Sequence, residues 1–265
     1  MNSSPAADIL INIQKTLNLD PLDLMIASII SKKMSMGVKN LVLDIPVGAG
    51  TKFSSVEPGR KFAIRFKEIA RRVGIESTCV LTSATQPIGH AVGPALEARE
   101  AIRLLQNPSL GPSSLLNKST DLAGILLEMA GKASEGHGKE LALEILKSGK
   151  AWDKMKAIVE EQGGDPNISP DSIEVGPLTV EIHAEYAGIV ANIDNRAINT
   201  ISKLAGCPGN KSAGIEIEKK IGSKIKVGEV VFRIYASNQN AMDAALEYYN
   251  AHPPIGLGSM TIEKI

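Results

Sequence analysis

The sequence predicts an α/β (α+β) protein: a mixed sheet with packed helices, followed by a smaller C-terminal β-rich domain. Three observations carry that expectation. Leu22, Met25, Ile26, Ile29 and Ile30, and later Phe62, Ile64, Phe66, Ile69, Ala70 and Val73, recur at the three- and four-residue spacing of amphipathic helices. Two short apolar runs, 41–45 and 77–82, alternate with them; they are too short for helices and suit buried strands. Past Pro177 the pattern becomes a succession of short strand-like segments. The expected organisation is a lead-in segment (1–19), an α/β domain with a helical block (20–164) and a β-rich domain (172–265).

Each element has its own signal. Asp20 and Pro21 open the first helix, the carboxylate as a cap and the proline at the first helical position, where an N–H has no partner anyway. Gly37 stops it. The run 41–45 leads into Pro46-Val-Gly-Ala-Gly50, a bend that glycine backbone takes readily. A helix over 57–73, closed by Gly74, and the strand 77–82 complete a βαβ unit whose two strands should be parallel. Gln86-Pro87 and Gly89 mark a turn, and Gly93-Pro94 opens the next helix. Residues 119–130 read as a buried helix whose Ala123 and Gly124 suit close packing, and 140–147 and 151–162 as two more helices. Glycine, proline and aspartate cluster at 163–177, the expected boundary. Beyond it, strands are expected in LTVEIHAEY, GIVANI, GIEIEKKI, EVVFRIYAS and SMTIEKI, with helices at 196–204 and 239–249. Residues 8–19 carry both a strand-like alternation and a helix lead-in.

Composition narrows the function classes. Apolar residues make up 43% and charged residues 22%, as in an ordinary globular protein. Basic and acidic residues balance at 29 each, so no net field favours nucleic acid or an anionic membrane. An aromatic content of 3% argues against a base-stacking surface. Cys79 and Cys207 stand alone, without CxxC or Cys/His spacing, which fits a reducing cytoplasm and two small core residues. No apolar run reaches membrane-spanning length, and no signal peptide is expected.

The side chains that carry chemistry are few. Ser28 and Lys32 stand four residues apart and so share one helix face. They suit a ligand that accepts bonds from a hydroxyl and an ammonium, such as a ribose phosphate or a base carbonyl. They equally suit a solvated helix end, with Lys32 and Lys33 meeting the dipole and Ser28 bonding its own backbone. Asp44, at the end of a buried strand, reads either as a site acid or as a cap of the following turn. Gly48 and Gly50 lack the spacing of a phosphate-binding loop. His90 reads as a ligand, a base or a turn histidine, and four isolated histidines argue against a histidine-rich zinc site. No GxSxG, HExxH or CxxC is present.

Two resemblances extend this reading. The run KIGSKIKVGEVVFRI (220–234) resembles the turn-strand of biotinyl and lipoyl hammerhead barrels without the tripeptide that carries their modified lysine. Barrel shape without carrier chemistry is therefore expected. LMIASIISKKM (24–34), NLVLDIPVGAG (40–50), QPIGHAVGPALEARE (86–100) and IDNRAINTISKLAG (193–206) together resemble the nucleoside phosphorylase family that includes thymidine and pyrimidine nucleoside phosphorylases. The wording of DIPVGAG and GPALEA is closest to the archaeal AMP phosphorylases of that family.

That resemblance implies a transferase that splits a glycosidic bond with phosphate, giving adenine and ribose 1,5-bisphosphate from AMP. It implies a cytoplasmic homo-oligomer, phosphate as co-substrate, no cofactor, and neither nucleic acid nor membrane as partner. Ser28 and Lys32 match the family's serine and lysine that contact the base or nucleotide. Ile88, Ala91 and Glu100 match positions that hold a monovalent cation in pyrimidine-type members. The chain departs from the pattern in lacking the upstream phosphate loop, as though it began halfway along a full-length member. The expectation is thus a partial α/β domain, inactive alone, that needs an N-terminal half in cis or trans. Asp8 is then the nearest surviving acid for proton donation and Ser4 the nearest hydroxyl for substrate. The alternatives are a thymidine or pyrimidine nucleoside phosphorylase and a noncatalytic oligomerisation module.

Overall fold

The computed structural model describes residues 21–258 and, ahead of them, Pro5, Ile9 and Ile13. The expected cap Asp20, the candidates Ser4 and Asp8, and the expected strand SMTIEKI lie outside the described residues. In chain order the elements are α1 (Leu22–Ser35), β1 (Asn40–Val47), α2 (Val56–Arg72), β2 (Glu76–Ser83), β3 (Ala91–Val92) and α3 (Pro94–Gln106). Then come α4 (Ser113–Met129), α5 (Gly138–Lys147), α6 (Lys150–Glu161), β4 (Leu178–His183) and β5 (Gly188–Ile193). The last are α7 (Asn195–Leu204), β6 (Gly214–Ile217), β7 (Lys224–Ile225), β8 (Val230–Ala236), α8 (Gln239–Ala251) and β9 (Ile255–Gly258).

Helix and strand are mixed, as expected, but the strands form three sheets, and the chain folds into two compact units. The first unit comprises Met1–Gly48, Lys52–Ser83 and Asp121–Leu141. Its β1 and β2 pair in parallel from Asn40↔Glu76 to Val47↔Ser83, which is the expected βαβ arrangement. Ile26, Ile30, Ile45, Phe53, Phe62, Phe66, Ala70 and Ile75 form its core. Pro21 is the N-cap of α1 rather than its first helical residue, so the helix starts one place later than the sequence suggested, because the Pro21 ψ of 123° is still extended. Gly37 closes that helix at φ 68°. In the same unit α4 and α5 approach backbone to backbone at Gly124 and Gly138: a Cβ on either would collide with the other helix. The expected close packing at Gly124 is present, but Ala123 is exposed and most of α4 is only half-buried.

The second unit comprises Ala49–Thr51, Ala84–Thr120 and Ala142–Ile265. It contains a four-stranded sheet in the order β3-β6-β8-β4 and a three-stranded sheet β7-β5-β9, antiparallel throughout. Alternate residues of these strands and one face of α7 and α8 fill the core, among them Val190, Ile198, Ile201, Ile215, Ile217, Phe232, Ile234 and Met242. Residues 163–177, where composition predicts a boundary, lie within this unit.

Candidate functional site

In the first unit, α1 presents Ser28 and Lys32. Ile26 (1% exposed) and Ile30 (4% exposed) fix the rotation of the helix by packing into the core. At about 100° per residue, Ser28 stands roughly 200° round from Ile26, and Lys32 the same angle from Ile30. Core packing therefore turns the pair away from the interior. Both are nonetheless half-buried, whereas Lys33 is exposed. The hydroxyls of Ser31 and Ser35 bond back to the carbonyls of Ser28 (3.2 Å) and Lys32 (2.9 Å) in the manner common for helical serines. The resulting face offers one hydroxyl and one ammonium a turn apart, a set that suits an anionic oxygen or a carbonyl.

Asp44 lies inside β1, which runs on through Pro46 to Val47, so the expected strand-end position moves inward. Its Oδ1 accepts a 2.6 Å bond from Thr82 Oγ1 on β2. The carboxylate thus has a cross-strand partner on β2. That bend closes on itself: Gly48 N donates to Phe53 O (3.0 Å), and Val47 bridges to Phe53.

In the second unit the QPIGHA segment forms a turn held by several long-range hydrogen bonds. Gly89 has φ 71°, and a Cβ there would run into the Glu100 carboxylate, so only glycine fits. Ser114 Oγ accepts from Gly89 N (3.1 Å), and Glu100 Oε1 accepts from His90 N (2.8 Å). Ile217 N donates to His90 O (2.8 Å), which joins the turn to β6. The Lys220 ammonium donates to the carbonyl oxygens of Pro87 and Gly89, the latter at 2.6 Å. Gln86 Oε1 in turn accepts from Ile221 N (2.9 Å). Ile88, Ala91 and Glu100 lie around this one turn, and the Lys220 ammonium stands beside it on the Pro87 and Gly89 carbonyls. A cavity of about 500 Å³ opens beside the turn, lined by His90, Arg99, Glu100, Glu216 and Tyr235 among others.

Burial pushes the Lys220 ammonium down to about 8, opposed by the nearby Glu100 charge. Its folded pKa lies below that of the unfolded chain, about 10.4, so between these values the unfolded state holds the extra proton. The stability contributed by this group accordingly rises with pH across that window. The expected result is that the Tm of the parent, relative to Lys220→Met, increases from pH 7 to pH 10. A difference that stays flat or falls would mean that the native state does not desolvate the ammonium.

Asn195, the first residue of α7, donates through Nδ2 to Ala49 O (3.2 Å) and Ala84 O (2.8 Å) and so ties together the segments Ala49–Thr51 and Ala84–Thr120 of the second unit. Asp194 caps the same helix by accepting from Arg196 N and Ala197 N. The sequence reading singled out neither Lys220 nor Asn195 for these bonds. Each acts on backbone more than a hundred residues away, a relation that local spacing does not encode.

Among the described residues no helix is long and apolar enough to cross a membrane. The family model for the pyrimidine nucleoside phosphorylase C-terminal domain matches residues 189–255, from β5 to the start of β9. A curated relative from Thermococcus kodakarensis is 48% identical over all 265 residues of this chain. Its name is AMP phosphorylase. The AMP phosphorylase of Methanosarcina acetivorans is 45% identical over 264 residues, and that of Pyrococcus horikoshii 44% over 265. In each case the match takes in 100% of this chain and 52% of the relative. The chain thus spans about half the length of the curated AMP phosphorylases it matches. Similarity of this extent covers α1, β1, the QPIGHA turn and the C-terminal strands together, so it bears out the resemblance carried by those segments.

Proposed function

We propose that this chain forms part of a nucleotide phosphorylase, which as a whole protein converts AMP and phosphate to adenine and ribose 1,5-bisphosphate. The observation that carries the proposal is similarity to AMP phosphorylases along the entire chain, with Ser28 and Lys32 paired on one half-buried helix face. In this reading Ser28 and Lys32 bind the nucleotide, the lysine supplying a charge-assisted bond and the serine a neutral one. Phosphate attacks C1′ of the ribose as the bond to the base nitrogen breaks, and the bonding electrons leave with the base. The sugar passes through an oxocarbenium-like state, so holding phosphate and sugar in line and stabilising the charge on the departing base are the main tasks. Protonation of the base completes its departure. Phosphate binding and the proton donor are assigned to the part of the enzyme beyond this chain. The working protein is read as a cytoplasmic homo-oligomer.

The test is assembly. The 265-residue chain, incubated with AMP and phosphate, is expected to release no adenine. Addition or fusion of the unmatched half of the Thermococcus kodakarensis relative is expected to give phosphate-dependent release of adenine, followed by chromatography. Turnover by the chain alone would refute the division of labour, and a folded fusion that leaves AMP intact would refute the activity. CMP, UMP and thymidine in the same assay separate AMP cleavage from the pyrimidine alternative.

A further inference from the structure

We propose that the cavity between α3 and β6 binds a small zwitterion, an aliphatic α-amino acid, with its carboxylate on Arg99 and Arg103 and its ammonium on Glu216 and Glu218. The cavity measures about 500 Å³, and these four residues line it together with Tyr235. Arg99 and Arg103 stand four residues apart on α3 and so share one face. Arg99 Nε donates to Ile173 O (2.7 Å), which fixes the guanidinium, and its two terminal nitrogens have no partner among the described residues. Arg103 reaches Asp171 only in a long, exposed contact of 3.4 Å. The helix wall therefore carries positive charge with donors to spare.

The sheet wall has the opposite sign. Glu181, Glu216 and Glu218 all gather about one guanidinium, that of Arg233. Carboxylates outnumber the cation here, and negative charge left over in a half-buried place favours a further cation. Glu216 Oε2 accepts from the Tyr235 hydroxyl (3.0 Å), while Glu216 Oε1 and Glu218 Oε2 have no hydrogen-bond partner among the described residues. The two walls meet at Tyr235: its phenol bonds Glu216, and the Arg99 charge acts on it. Opposite charges this close together suit a ligand whose own carboxylate and ammonium are one carbon apart. A purely anionic ligand would face the glutamates, and a diamine would face the arginines. Leu96, Leu110 and Pro112 also line the cavity and offer apolar cover to an aliphatic side chain. Glu100 borders it as well, but that carboxylate accepts from His90 N and its charge acts on Lys220.

Calorimetric titration of the 265-residue chain tests the proposal with L-leucine, with 3-methylbutylamine, which lacks the carboxylate, and with 4-methylpentanoate, which lacks the ammonium. Leucine is expected to bind saturably. Each truncated compound is expected to bind at least about tenfold more weakly, because it forfeits one set of charge-assisted bonds. Glu216→Gln is expected to weaken leucine by at least about tenfold without weakening 4-methylpentanoate. Arg99→Gln is expected to weaken leucine to a similar degree and to spare 3-methylbutylamine. A general loosening of the fold would not produce that crossed pattern. No leucine binding, or leucine binding no tighter than either truncated compound, would overturn the proposal. Tighter binding of ribose 5-phosphate than of leucine would overturn it too, because the arginines would then serve a phosphate ester. Should Arg99→Gln not fold, Arg103→Gln takes its place, and the compounds titrated into the parent chain decide the matter by themselves.

Discussion

In the assembled enzyme, Lys32→Ala is expected to lower kcat/KM for AMP by at least about tenfold, while Lys33→Ala leaves it nearly unchanged. The two lysines are neighbours in sequence, but α1 separates them by about 100°. Lys32 is half-buried on the face that carries Ser28, and Lys33 is exposed. A hydrogen bond from a charged group contributes about 1.5–3 kcal/mol, and about 1.4 kcal/mol corresponds to a factor of ten in transition-state stabilisation. Neither substitution removes core packing, so both variants should melt within about 0.5 kcal/mol of the parent. Steady-state kinetics with AMP, with thermal melts alongside, provide the check. Equal, small losses for the two lysines would return Ser28 and Lys32 to the role of an ordinary helix end and detach α1 from the nucleotide.

The largest stability effect is expected at Phe66. Its side chain is 0% exposed, and it completes a row of rings with Phe62 (centroids 6.1 Å apart) and Phe53 (5.1 Å from Phe62). Ile26 and Ile30, which set the rotation of α1, belong to the same core. Truncation to alanine combines lost burial with a residual cavity and should cost about 3–5 kcal/mol. Ile64 lies on the same helix but is 64% exposed, so Ile64→Ala should cost no more than about 0.5 kcal/mol. Urea denaturation followed by circular dichroism gives both values. Similar values for the two would mean that Phe66 is not packed as described. A large loss at Phe66 should also weaken nucleotide binding, since α1 takes its orientation from this core.

How much of this was legible in the sequence depends on the range over which each residue acts. α1 was readable from Ile26, Ile30 and Gly37 because periodicity and a stop glycine are local. The parallel pairing of β1 and β2 followed from a short connection with one helix in it. The start of α4 was missed by six residues. Its first turn, Ser113-Ser114-Leu115-Leu116, follows directly on the loop-like Asn107–Pro112, and what ordered it, Leu116 N bonding to Pro112 O and Ser114 receiving Gly89 N, lay partly in a distant turn. At the candidate site, spacing paired Ser28 with Lys32 but left the ligand open, and only the difference in burial separates Lys32 from Lys33. Around the QPIGHA turn the sequence reading named Ile88, Ala91 and Glu100 but not Lys220, whose ammonium donates to the Pro87 and Gly89 carbonyls. That ammonium comes from position 220, in a stretch inspected for a carrier lysine. Glu100 was linked to this turn by the family resemblance alone; the helix opened by Pro94 carries it back over Gly89, where it accepts from His90 N.

The division of the two units has a consequence for the order in which the chain acquires structure. Neither unit is a continuous stretch: the first needs residues 121–141 to be complete, and the second draws on 49–51 and 84–120 as well as on everything from 142 onward. A chain emerging from the ribosome can pair β1 with β2 as soon as Ser83 has been made, since a single helix separates the two strands. The glycine contact between α4 and α5 must wait until Gly138 has been made. Segment 84–120 must wait longer, because β3 finds its partner only when β6 appears at residue 214. Until then the apolar face of α3, with Ala95, Leu96 and Ile102, has no sheet to cover it. Such delayed, long-range pairing is the pattern that slows folding and leaves intermediates prone to associate. Synthesis rate and chaperone supply should therefore govern the yield of this protein more strongly than the stability of its finished fold.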